Sequence, residues 1–154
     1  MTQENLPLSE QIDRDLQQAM RDRDDVAKIA LRSVKTALTE AAKAGESHNQ
    51  SEEEVLSVIQ KQAKQRRDAA SEYERVGAQN RAEEERAELA VLERYLPRQL
   101  SESEIEAVVR SVIQETGASS MQDMGRVMSA AMAQLKGKAD GKVVNQTVRR
   151  MLAS

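Results

Sequence analysis

Three lysines set in a glycine-bearing turn have the clearest chemical capacity in this chain. The turn is LKGKADGK, Leu135 to Lys142, and its cations are Lys136, Lys138 and Lys142. Glycines at 137 and 141 permit backbone shapes that other residues resist, and Asp140 stands where it can cap a following helix. Amide N–H groups at a helix start, ringed by lysines, can receive the oxygens of a phosphate. The same pattern also suits a plain helix connection with incidental lysines, and the Asp140 carboxylate already occupies the cap. From Arg126 to Ser154 six cations (Arg126, Lys136, Lys138, Lys142, Arg149 and Arg150) face one anion, Asp140, giving +5 inside a chain of net −3. A small basic end on an acidic body points to a local anion-binding face.

A second basic run, KQAKQRRDAASEYER, places Lys61, Lys64, Arg66 and Arg67 within two helical turns. Such a face can hold a nucleic-acid backbone without reading its sequence. A solvated face is the plainer explanation: Asp68 is an i,i+4 partner for Lys64, and Glu72 and Glu74 dilute the field beyond it. These four residues form a secondary basic face.

Other chemistry finds little support. The chain has no cysteine, which excludes disulfides, thiolate metal sites and thiol nucleophiles. Its single histidine, His48, lies in the polar stretch GESHNQ, where a solvated side chain is expected. Ser119 and Ser120 lack a histidine base and an amidase-like Ser–Ser–Lys pattern, and helix capping explains Ser120 better. Consecutive carboxylates such as Glu83, Glu84 and Glu85 point around a helix instead of converging into an acid–base pair. Neither a phosphate loop nor a dinucleotide fingerprint is present. No catalytic constellation, cofactor site or metal site is expected. Tyr73 and Tyr95 are the only aromatic residues, so stacking of successive bases is all but excluded.

Helices must position these residues, because every periodic segment has helical spacing. Leu8, Ile12, Leu16 and Met20 form one stripe. Val26, Ala27, Ala30, Leu31, Val34 and Leu38 form a second, ending near Gly45, with Lys28, Arg32, Lys35 and Lys43 on its outer faces. Ser51 with Glu54 is a capping-box signature that opens a third helix through Val55, Ile59, Ala63, Ala70 and Tyr73 to about Val76. Gly77 stops it, and a fourth helix with Ala82, Leu89, Leu92 and Leu96 inward completes an antiparallel hairpin. Pro97 marks a hinge. Ser101 with Glu104 is a second capping box, followed by Ile105, Val108, Val109, Val112 and Ile113, and Gly117 ends that helix. Ser120 caps the next, with Met121, Met124, Val127, Met128, Ala131, Met132 and Leu135 as its stripe; methionine at this spacing is read as core in preference to a partner groove. Gly137 ends it and Asp140 caps the last helix, lined by Val143, Val144, Thr147, Val148, Met151 and Leu152. The expected fold is all-α and multihelical.

Two subdomains are expected, 1–96 and 97–154. The first holds 15 Lys and Arg against 20 Asp and Glu, or −5, and the second 8 against 6, or +2. No apolar run is long enough to span a bilayer, and no signal peptide precedes Pro7, so a soluble, cytoplasmic protein is expected.

Three runs carry a resemblance to a known family: KQRRDAASEYERVG, ELAVLERYLPRQLSESEIEAVV, and TGASSMQDMGRVM with KGKADGKVVNQTV. With their glycines, prolines and caps in register, they make the chain resemble the YqeY family from about Leu8 to Leu152. That family is the free-standing relative of the C-terminal tail of the B subunit of glutamine-dependent Asp/Glu-tRNA amidotransferases. The resemblance implies a multihelical fold in two subdomains and a role in recognising the tRNA body. Carried onto this chain, it makes Lys136, Lys138 and Lys142, with Arg149 and Arg150 on the last helix, the candidate tRNA contacts. Neither the ATP-using region of the B subunit nor the ammonia-releasing amidase is expected in this chain. Carbon–nitrogen ligase activity with glutamine as amido-N-donor would therefore belong to the relatives' assembly.

The first expectation is a non-enzymatic tRNA-binding accessory protein. The second is a protein-interaction module that docks on a tRNA amidotransferase or an aminoacyl-tRNA synthetase. A third, a subunit contributing to amidotransferase activity, ranks last.

Overall fold

A computed structural model describes residues 6–45 and 50–153, so His48 lies outside the described residues. The described chain is all-helical, as the periodicity requires, and forms two compact units, Met1–Leu96 and Pro97–Ser154.

In the first unit α1 (Leu8–Asp22), α2 (Asp25–Ala44), α3 (Glu52–Arg75) and α4 (Gln79–Glu93) pack into one bundle. Its core is aliphatic and small: Ile12, Leu16, Ala19, Ala27, Ala30, Leu31, Val34, Val55, Ile59, Ala63, Val91 and Leu92. Alanines at these seams let helix axes approach closely, which offsets the shortage of large side chains. Two expected core positions are open to solvent. Met20 is 50% exposed, with Ala19 buried in its place, and Val26, in the first turn of α2, is 40% exposed. The α3–α4 turn is a Schellman arrangement: Ala78 N–H donates to Tyr73 O (2.8 Å) and Gly77 N–H to Glu74 O (3.1 Å), with Gly77 at φ +80°. That short reversal makes α3 and α4 antiparallel.

The second unit contains α5 (Glu102–Thr116), α6 (Met124–Leu135) and α7 (Gly141–Ala153), each packed on the other two. Ile105, Val109, Val112, Val127, Ala131, Leu135, Val144, Val148 and Leu152 form its core, with Met124, Met128, Met132 and Met151 packed around them. Ser101 opens α5 through a complete capping box with Glu104. Ser120 does not cap α6 directly. It caps a separate 3-10 turn, Met121–Asp123, and α6 begins only at Met124. Asp123 is the reason: its carboxylate accepts from Ser119 N–H (2.9 Å) and Ser120 N–H (3.3 Å), tightening the chain before the α-helix starts. Met121, on that turn, is consequently 42% exposed.

Candidate nucleic-acid interface

The lysine turn is built from the end of α6. Lys136 N–H still reaches Met132 O (2.9 Å), then Lys138 and Ala139 N–H both return to Leu135 O (2.8 and 3.1 Å). Gly137, at φ +82°, makes the reversal in a region that side-chain-bearing residues resist. Gly141 does not share this role; it is the first residue of α7, in open space and without positive φ. Asp140 Oδ1 accepts from Lys142 N–H (2.9 Å) and so takes one of the free donors at the start of α7.

Two contacts that the sequence gives no sign of pin this turn. Gln99 Nε2 donates to Gly137 O (2.9 Å), and Leu100 N–H donates to Lys138 O (2.8 Å). Two successive carbonyls are thereby held by the stretch of chain leading into α5, fixing the platform that carries the lysines. Lys136, Lys138 and Lys142 are all exposed. Neither Lys136 nor Lys138 has an ion-pair partner among the described residues.

The two arginines of α7 are placed differently. Lys142, Asn145 and Arg149 recur at i, i+3 and i+7, hence on one helix face, and Arg149 Nε donates to Asn145 Oδ1 (2.9 Å). Arg149 thus continues the surface of the turn. Arg150, one position on, faces α5 and donates to Glu106 Oε1 at 2.6 Å. Glu102, Glu106, Val143, Gln146, Thr147 and Arg150 line a hollow of about 330 Å³ between α5 and α7. Arg126, which shares the local charge, pairs with Asp123 at 2.9 Å.

The secondary basic residues of α3 do not share one environment. Lys61 is exposed and Lys64 pairs with Asp68 at 3.3 Å. Arg67 is half-buried. Arg66 turns inward: its side chain is 16% exposed and bridges α3 to Glu88 (3.0 Å) and Glu85 (3.4 Å) of α4. Its Nε is buried with no hydrogen-bond partner among the described residues. Burial raises the pKa of Glu88, opposed by the positive charge of Arg66 beside it.

Among the described residues no cluster of three His, Cys, Asp or Glu side chains could hold a metal ion, and no helix is long and apolar enough to cross a membrane. What the second unit presents chemically is a hydrogen-bonded cationic turn continued along one face of α7.

The family model described as Yqey-like protein matches residues 9–152. The E subunit of glutamyl-tRNA(Gln) amidotransferase from Thermococcus sibiricus is 44% identical over 57 residues, which are 34% of this chain and 9% of that protein. Its counterpart in Methanococcus maripaludis is 43% identical over 51 residues, 33% of this chain and 8% of that protein. The chain therefore spans less than a tenth of these amidotransferase relatives. Altered inheritance of mitochondria protein 41, mitochondrial, of Pyrenophora tritici-repentis is 29% identical over 159 residues, covering 99% of this chain and 84% of that protein.

Proposed function

The chain belongs to the Yqey-like family, and on that premise we propose that it is a tRNA-binding accessory protein without a catalytic centre of its own. The observation that carries the reading is the pinned, exposed turn of Lys136, Lys138 and Lys142, continued by Arg149. Kinship with a segment of a glutamyl-tRNA(Gln) amidotransferase supports tRNA as the nucleic acid and an amidotransferase or synthetase as the setting. Lysines on a fixed backbone contact phosphates and sense the shape of a folded RNA, and with two tyrosines in the chain there is little to stack on bases. The cytoplasm is the proposed location, although the Pyrenophora relative is mitochondrial by name.

The test is a salt titration of bulk tRNA binding, comparing the wild-type protein with the triple variant K136A/K138A/K142A. Losing three phosphate contacts should weaken binding and flatten the log–log salt slope by roughly 2 to 3 units. Unchanged affinity and slope would remove the turn from the interface.

Docking onto a protein is the second reading, favoured by the half-exposed Met20 and Ile29 on α1 and α2. It predicts a stoichiometric protein partner that stays bound after nuclease treatment. Recovery of nuclease-sensitive tRNA alone would count against it.

A further inference from the structure

Arg150 lies beside the proposed phosphate-binding surface, yet its charge is already engaged. We propose that Glu106 is an internal phosphate mimic: its carboxylate holds Arg150 away from RNA and keeps tRNA affinity below what the cations of α7 could supply. The inference rests on the tRNA-binding reading and concerns regulation of that same surface.

Three observations carry it. Glu106 Oε1 accepts from the Arg150 guanidinium at 2.6 Å, the geometry of a charge-assisted bond of the kind a phosphate oxygen would make. Arg150 remains 62% exposed while Glu106 is 33% exposed, so the cation is reachable from solvent and the carboxylate is held against the fold. Third, the pair sits in the hollow between α5 and α7 whose other charged lining residue, Glu102, is also an anion. A phosphate entering there meets two carboxylates before it gains one guanidinium. An exposed ion pair is weak enough to be displaced, so Glu106 acts as a partial brake and not as a block.

The neighbouring arginine supplies the internal contrast. Arg149 is tied only to the neutral Asn145 amide and keeps its full charge for a ligand. Adjacent residues of one helix are therefore in opposite states, one available and one restrained. The choice is made by α5, 44 residues away in sequence.

The experiment measures tRNA affinity and its salt slope for wild type, E106Q, E102Q and E106Q/R150A, with helicity checked for each. The Glu102 side chain lines the same hollow and makes no hydrogen bond or ion pair among the described residues, so E102Q controls for the loss of one negative charge. E106Q should tighten binding about three- to tenfold and steepen the slope by about one unit, as one added phosphate contact requires. E102Q should gain much less, and R150A should abolish the gain of E106Q. Equal gains in E106Q and E102Q, or a gain that survives R150A, would overturn the brake while leaving the tRNA reading intact. Binding by E106Q where wild type shows none would mean that the brake is closed at rest. If no variant binds at low salt, the tRNA reading fails and the brake fails with it.

Discussion

Gln99 shows how one neutral side chain can govern a charged surface it does not belong to. Its amide donates to Gly137 O, and beside it Leu100 N–H donates to Lys138 O. An intramolecular hydrogen bond of this kind is worth on the order of 1 kcal/mol, small for the fold but decisive for a reversal of a few residues. Gln99→Ala should therefore leave overall helicity unchanged, speed amide exchange across residues 136–140, and weaken tRNA binding a few-fold with no change of salt slope. A changed slope would mean that Gln99 alters the number of phosphate contacts and not their placement. The lysines themselves were legible in the sequence because charge, glycine and cap lie within eight consecutive residues. Gln99 was not, since its partner lies 38 residues away and glutamine carries no pattern of its own. Arg66 makes the same point: a basic run shows where cations are, whereas the approach of α4 determines that Arg66 faces Glu88 and Glu85.

At the scale of elements, α5 depends on its first turn. Ser101 Oγ accepts from Glu104 N–H (3.2 Å), and Glu104 Oε1 accepts from Ser101 N–H (3.2 Å). Arg98 then clamps the same carboxylate through two bonds, 3.1 and 2.8 Å. Those bonds from Arg98, reinforced by Ser101, hold the Glu104 carboxyl down at about 2, against an ordinary 4.5. A depressed folded-state pKa stabilises the fold above the unfolded value and loses that contribution as pH falls through the folded one. The cap should therefore weaken between about pH 4.5 and pH 2. Ser101→Ala should cost about 1 kcal/mol at neutral pH. Melting scans from pH 7 to pH 3 should show a smaller acid-induced loss in E104Q than in wild type; equal losses would assign the acid sensitivity to other carboxylates. Element ends were readable because caps are local chemistry, and Ser51, Ser101, Gly77, Gly117 and Gly137 all sit at helix boundaries. Stripes were readable only over short distances. Leu8, Ile12, Leu16 and Met20 recur every four residues, whereas the helix repeats every 3.6, so the stripe drifts by about 120° across the three steps. Ala19 takes the core position at the end of α1, and Met20 turns outward.

Considered as a whole molecule, the chain could bind tRNA only by holding a polyanion while carrying a net charge of −3. Long-range attraction cannot achieve that, because residues 1–96 contribute −5 and salt screens fields beyond about 8–10 Å. Affinity has to come from contacts within a Debye length of the RNA, and the acidic remainder disfavours other docking poses. The lysines make this directly measurable. Five of them, Lys28, Lys35, Lys43, Lys61 and Lys64, lie in residues 1–96, and the remaining three are Lys136, Lys138 and Lys142. Acetylation of the protein with and without saturating tRNA, read residue by residue by mass spectrometry, should show protection confined to the last three. Lys35, already bound to Asp13 at 2.7 Å, sets the level of reactivity expected from an ion pair inside the protein. Protection of Lys61 and Lys64 as well would extend the footprint to the α3 face and make the secondary basic run part of the interface. Protection of those two alone would move the interface to α3, where Asp68 already competes for Lys64. The location of protection thus decides between a footprint set by a local turn and one set by the distribution of cations along the whole chain.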